Sequence, residues 1–103
     1  MSQAEFSTFE IDPEVRAVVV APQARFDYRK LAITQLYLQN PEVLFIVTND
    51  DPVFVAGGSG RLQPDVGATL EAIEVCSERK AIRVGKPLTF CMEQILKDHL
   101  PDE

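Results

Sequence analysis

Val43-Leu44-Phe45-Ile46-Val47-Thr48-Asn49-Asp50-Asp51-Pro52 passes from five apolar residues straight into five polar or turn-forming ones. A run that is apolar at every position, rather than at every second one, suits a strand buried on both faces of a parallel sheet. Its polar tail marks where that strand leaves the sheet. Toward the N-terminus, Val15-Arg16-Ala17-Val18-Val19-Val20 has the same character, β-branched and almost continuously apolar. Between the two, Asp27 is a good N-cap, and Phe26 at N′ with Leu31 at N4 has the spacing of a hydrophobic staple. A helix is therefore predicted over Tyr28 to Gln39. Asn40-Pro41 ends it, because a residue before proline is pushed out of the α region.

Toward the C-terminus, a second helix is predicted over Val66 to Ser77. It places Val66, Leu70, Ile73 and Cys76 on one face, opposite Glu71, Glu74 and Glu78. Ile82 to Val84 makes a short third strand, and a last helix runs from about Leu88 to Asp98 with Met92, Ile95, Leu96 and His99 on one stripe. The expected fold class is α/β: a small parallel sheet with helices on its faces, in the order βαβαβ-α, wound by right-handed crossovers. Phe6 to Ile11 is a candidate edge strand. Thr48 to Gln63 reads as a long functional loop. Its Gly57-Gly58-Ser59-Gly60 is a flexible segment rather than a phosphate loop, since no helix begins within reach and no GK[ST] follows.

With 103 residues, 46% of them hydrophobic, the chain makes one compact domain with a modest core. Its 10 basic residues against 16 acidic ones give a formal net charge of -6. With no basic run or basic-aromatic stripe, nucleic acid and anionic membrane are poor partners. The longest apolar runs, Ala17 to Ala21 and Val43 to Val47, are too short to span a bilayer. The N-terminus carries no secretory pattern. Cys76 and Cys91 have neither CxxC spacing nor histidine partners and are expected to be buried reduced thiols, with no metal site. These features describe a cytoplasmic protein.

In such sheets ligands bind at the carboxyl edge, where the strand-to-helix loops emerge. Here those loops carry Gln23 and Arg25, then Thr48 to Phe54, then Lys86. Val84-Gly85-Lys86-Pro87 ends a strand on a lysine beside the start of a helix, a place that also favours phosphate. Lys86 reads either as a phosphate clamp or as a solvated side chain. Asn49, Asp50 and Asp51 read as substrate contacts or as turn chemistry, their side chains folded onto nearby amides. Adjacent carboxylates from one loop do not make a Mg²⁺ site. His99, at a helix C-terminus, reads as a favourable charge rather than a ligand. No aspartate, serine or cysteine stands in a recognisable nucleophile motif.

Five blocks, in order, resemble the haloacid dehalogenase superfamily, and within it the branch of the 4-nitrophenylphosphatases, phosphoglycolate phosphatases and pyridoxal phosphate phosphatases. They are Val15 to Val20; Phe26-x-Tyr28-x-Lys30-Leu31; Phe45-Ile46-Val47-Thr48-Asn49-x-Asp51; Pro64 with Gly67 before a helix; and Val84-Gly85-Lys86-Pro87. The resemblance runs from about Val15 to Leu96 and implies a type II cap. Residues 1–85 would be the cap-like domain, and residues 86–103 the lysine motif and helix that return to the hydrolase core. It further implies a Mg²⁺-dependent phosphomonoesterase as parent enzyme, with Lys86 neutralising phosphoryl oxygens and with Asn49, Asp50, Asp51 and Phe54 facing a phosphorylated small-molecule substrate. The family's DxDG and GDxxxTD motifs have no counterpart here. The chain is thus expected to be a substrate-specificity cap fragment, inactive alone, without a cofactor of its own, and a homodimer.

The chain also departs from the family's pattern. Ala21-Pro22-Gln23 stands where Gly-x-Asp is usual, Pro64-Asp65-Val66-Gly67-Ala68 where Pro-Gly-x-Gly-Ser is usual, and Thr89 where a proline is usual. Val53 and Phe54 occupy the place where the family's specificity loop meets its substrate. Two other readings stand beside the cap. One is a receiver-like signalling domain phosphorylated on Asp50 or Asp51, which would need five strands and an acidic pair after the first. The other is a non-catalytic dimerisation module that pairs around Leu70 to Glu74 and through the apolar stripe of the last helix.

Overall fold

Ser2 opens the chain with a capping box: its hydroxyl accepts from the Glu5 N–H at 3.1 Å, while the Glu5 carboxylate accepts from the Ser2 N–H at 3.3 Å. Two N–H groups that a helix start leaves without partners are satisfied reciprocally. The result is helix α1, Gln3–Thr8, where an edge strand over Phe6 to Ile11 was expected. The local cap outweighs the weak strand pattern, and α1 lies beside the next helix through Glu5–Arg29 at 3.2 Å. The computed structural model describes residues 1–23 and 25–84 together with Glu93, Ile95, Lys97 and Asp98. Lys86, Cys91, Met92, Leu96 and His99 lie outside the described residues.

The parallel sheet consists of β1 (Ala17–Val20), β2 (Leu44–Val47) and β5 (Ile82–Arg83), in that spatial order. Val18 stands beside Phe45 and Val20 beside Val47, while Ile46 and Val47 pair with Ile82 and Arg83. Helix α2 (Tyr28–Leu38) follows β1 and helix α3 (Val66–Ser77) precedes β5. As expected, Asp27 caps α2, its carboxylate accepting from the Lys30 N–H at 2.9 Å. The strand order is sequential, so two right-handed crossovers put both helices on one face. On the covered face Val20, Phe45 and Val47 from the sheet meet Leu38, Val66, Leu70 and Ile73 from the helices. Burying side chains of this size contributes roughly 1.5–3 kcal/mol each. On the opposite face Val19 is 48% exposed.

Two expectations about the middle of the chain are corrected. The segment from Thr48 to Gln63 is not one long loop: it folds into an antiparallel hairpin of β3 (Val53–Val55) and β4 (Leu62–Pro64). Gly57 and Gly60 form its turn with φ of +53° and +73°, the left-handed region that only glycine enters without strain. Cys76 is exposed, whereas Glu74 is buried on the core side of α3. The two flank the Val66–Leu70–Ile73 stripe at opposite edges, so helical spacing alone does not choose between them. Glu74 wins because it has partners there: it accepts from the Ala81 N–H at 2.9 Å and faces Lys80 and Arg83. A buried carboxylate is tolerated on such terms.

The end of α3 also secures α2. Glu78 adopts φ +56° and stops α3, and Arg79 then turns its guanidinium onto the carbonyls of Leu38, Asn40 and Val43 at 3.1, 3.2 and 2.6 Å. The guanidinium thus caps the Leu38 carbonyl at the end of α2 and holds the turn that leads from it into β2.

The capping box gives a pH-dependent prediction. The Ser2 backbone N–H, then the Ser2 side chain and Arg29, hold the Glu5 carboxyl below its ordinary value of 4.5. A lowered folded value means that the contribution of Glu5 is fully present above pH 4.5 and is lost as pH falls through the folded value. Titration of the Glu5 side chain by NMR should show a midpoint below 4.5 that rises toward it in Ser2→Ala. A midpoint indifferent to that substitution would remove the Ser2 hydroxyl as a contributor and leave the backbone N–H, which alanine keeps.

Candidate functional site

β1, β2 and β5 all run the same way, so the segments that follow them share one edge. From β1 come Ala21, Pro22, Gln23 and Phe26. From β2 come Thr48 to Asp51, and Arg83 is the last residue of β5. The hairpin and the start of α3 complete the rim. A cleft of about 610 Å³ opens between the β1–α2 connection on one side and Phe54, Gln63, Pro64, Asp65, Val66 and Thr69 on the other. That volume lies in the range used for small-molecule ligands. Its walls are apolar at Phe26, Phe54, Pro22 and Pro64 and polar at Gln23, Gln63, Asp65 and Thr69, and among the described residues no lysine or arginine lines it. The Lys30 ammonium is occupied nearby, donating to Gln23 Oε1 at 2.9 Å and to the Arg25 carbonyl.

The loop after β2 is held at several points. The Thr48 N–H donates to the Val20 carbonyl at 3.0 Å. The Asp51 carbonyl accepts from the Gly67 N–H at 2.8 Å, and the Pro52 carbonyl accepts from the Asp65 N–H at 3.0 Å. Val66 N–H is capped by Asp65 Oδ1 at 2.7 Å. The first N–H groups of α3, which a helix cannot use internally, are thus shared between its own cap and the loop. Gly67 permits this approach: a Cβ there would stand 2.7 Å from the Asp51 carbonyl oxygen and still nearer that of Asp50.

Each expected site residue can now be placed. Phe54 lines the cleft, 44% exposed. Asn49, Asp50 and Asp51 lie beside it on the loop and do not line it. Asn49 Nδ2 donates to Asp51 Oδ2 at 3.4 Å, and Thr48 Oγ1 donates to Asn49 Oδ1 at 3.3 Å. Asp50 Oδ2 pairs with Arg83 Nε at 2.8 Å, and that bond is the main cause that holds the Arg83 guanidinium above its ordinary value. Lys86 lies outside the described residues. Sequence reasoning missed Phe26 as a cleft wall, Arg83 as a partner of the loop, and Glu74 as the buried carboxylate behind Arg83. For Phe26 the signal was its position before an N-cap on the β1 connection. For Arg83 it was a lone cation inside an apolar strand.

The acidic loop does not fit a magnesium site. One oxygen of Asp50 is engaged by Arg83 and one of Asp51 by Asn49, and Mg²⁺ demands near-octahedral oxygen ligation. Among the described residues no group of three or more histidine, cysteine, aspartate or glutamate side chains is arranged to hold a metal ion. Likewise no described helix is long and apolar enough to cross a membrane.

No family model matches the chain. It is 34% identical over 89 residues to glycerol-3-phosphate phosphatase of Rattus norvegicus, which covers 86% of this chain and 27% of that protein. To human chronophin it is 35% identical over 86 residues, 84% of this chain and 29% of that protein. Among solved structures, the thermostable NPPase of Geobacillus stearothermophilus superimposes with a TM-score of 0.61 at 36% identity, over 82% of this chain and 33% of that one. A p-nitrophenylphosphatase from Bacillus stearothermophilus gives a TM-score of 0.61 at 33% identity, over 85% and 33%. The chain therefore spans 27 to 29% of the length of these curated relatives.

Proposed function

We propose that this chain, related to the haloacid dehalogenase-type phosphatases over their cap segment, is the substrate-specificity cap of a Mg²⁺-dependent phosphomonoesterase. The observation that carries this reading is the extent of the match. Similarity runs through nearly all of this chain and less than a third of glycerol-3-phosphate phosphatase, and it falls where the sequence carries no nucleophile motif. The geometry is consistent with it: one sheet edge gathers a polar loop, a hairpin and a cleft of small-molecule size.

In this reading residues 1–85 form the cap, and residues 86–103 rejoin a hydrolase core. Lys86 neutralises the phosphoryl oxygens as negative charge develops on them. The cleft takes the organic part of the substrate, because its walls at Phe26 and Phe54 are apolar and none of its described lining residues is a cation that could hold a phosphate. When bound, magnesium would supply Lewis-acid polarisation of the ester in the complete enzyme, and its ligands would belong to the core rather than to this chain's acidic loop. In this reading the protein works in the cytoplasm as a homodimer, but not through the surface expected around Leu70 to Glu74, because Leu70, Ile73 and Glu74 are buried in the chain's own core.

The purified 103-residue chain, given Mg²⁺ and 4-nitrophenyl phosphate, should release no nitrophenol above the buffer rate. Magnesium-dependent release that disappears in Lys86→Ala would overturn the reading of the chain as inactive alone.

A further inference from the structure

We propose that Arg83 is the positioning residue of the loop after β2, holding it in register with α3 and cancelling one of its two adjacent carboxylates. The functional half of this statement rests on the cap reading above; the geometric half does not. Arg83 ends β5, where its backbone pairs with Val47 of the central strand. Its guanidinium is fixed from behind: Nη1 donates to the Ala81 carbonyl at 2.9 Å and lies 3.5 Å from Glu74 Oε2. The Glu74 side chain is 4% exposed and is itself held by the Ala81 N–H at 2.9 Å. From this anchored plane Nε reaches forward to Asp50 Oδ2 at 2.8 Å. A pair between two freely moving surface side chains contributes little, because ordering both offsets the attraction. Here the cation is already ordered, so the attraction acts on the loop alone.

The next residues show what this placement achieves. Asp51 and Pro52 give their carbonyls to the N–H groups of Gly67 and Asp65. Pro52 leads directly into β3, which carries Phe54 into the cleft. Fixing Asp50 therefore fixes the start of the hairpin and one wall of the cleft. It also settles a conflict of charge. Two carboxylates side by side at the edge that faces a phosphate dianion would repel it, and Arg83 offsets one of them. Arg83 need not touch the substrate to do this.

Hydrogen exchange of the Gly67 amide, relative to that of Leu44, tests the proposal. Gly67 N–H lies at the start of α3 and donates to the Asp51 carbonyl, whereas Leu44 N–H donates to the Arg16 carbonyl at the far end of the sheet. Arg83→Met and Asp50→Asn should each raise the Gly67-to-Leu44 exchange ratio about three- to fivefold. Glu74→Gln should raise the same ratio, and Arg83→Lys, which keeps the cation, should restore most of the protection. Added salt should raise the ratio in the unmodified chain and leave it unchanged in Arg83→Met. The proposal is overturned if the ratio stays constant in Arg83→Met and Asp50→Asn, or if lysine does no better than methionine. No phosphoester enters the measurement, so the cap reading and the positioning role fail separately.

Discussion

Replacing Gly67 by alanine is expected to destabilise this chain by about 2–3 kcal/mol. Helix propensity alone predicts the opposite sign. In an exposed helix interior, alanine is favoured over glycine by roughly 0.8–1 kcal/mol. What reverses the sign is the close approach of the loop: the added Cβ would meet the backbone carbonyl oxygens of Asp50 and Asp51, the latter at 2.7 Å. Those atoms belong to the main chain, so no flexible side chain can swing away. If the loop retreats, the Gly67–Asp51 and Asp65–Pro52 hydrogen bonds and the Asp50–Arg83 pair are all strained. If α3 retreats, Val66, Leu70 and Ile73 leave a core in which they are 4, 2 and 3% exposed. Denaturant unfolding measures the outcome. A midpoint at or above that of the unmodified chain would mean that the loop does not sit against α3 as described.

The sheet was the part most legible from residues alone. Val43 to Val47 and Val15 to Val20 are apolar at every position, a pattern that only a sheet interior rewards, and the strands found there are Leu44–Val47 and Ala17–Val20. Asp27 and Val66 announced both helices through local capping and periodicity, which act within one turn. What escaped depends on partners distant in sequence. Val53–Val55 and Leu62–Pro64 pair only with each other and expose their side chains, so no buried pattern marked them. Glu74 and Cys76 flank the same stripe, and the choice between them rests on Ala81, Lys80 and Arg83 further along the chain. Of the site, Phe54 lines the cleft, while Asp50 and Asp51 are tied to Arg83 and Asn49. The α1 helix was obscured because a capping box of exposed residues leaves no hydrophobic signature.

The second large effect is expected at Lys86, once a nucleophile is supplied. The Geobacillus stearothermophilus NPPase matches this chain over 33% of its own length, so the test is a chimera in which residues 15–96 of this chain stand in place of that third. If the cap reading holds, the chimera carries the host's nucleophile and metal site with this chain's cleft and lysine. Removing a preorganised charge from a developing phosphoryl anion costs on the order of 10²-fold in turnover, so Lys86→Ala in the chimera should lose about that factor. Removing magnesium should abolish turnover whichever residue stands at position 86. The specificity role predicts a further change. Lined by Phe26 and Phe54, with no lysine or arginine among its described lining residues, the cleft should favour phosphomonoesters with apolar organic groups over small polar ones, relative to the host.

The relative kcat/KM of the folded chimera for 4-nitrophenyl phosphate and glycerol 3-phosphate, set against that of the host enzyme, is the most direct measurement of the central claim. The account predicts magnesium-dependent turnover with the ratio shifted toward the nitrophenyl ester. A folded chimera that keeps the host's ratio, or that hydrolyses neither ester, would contradict it.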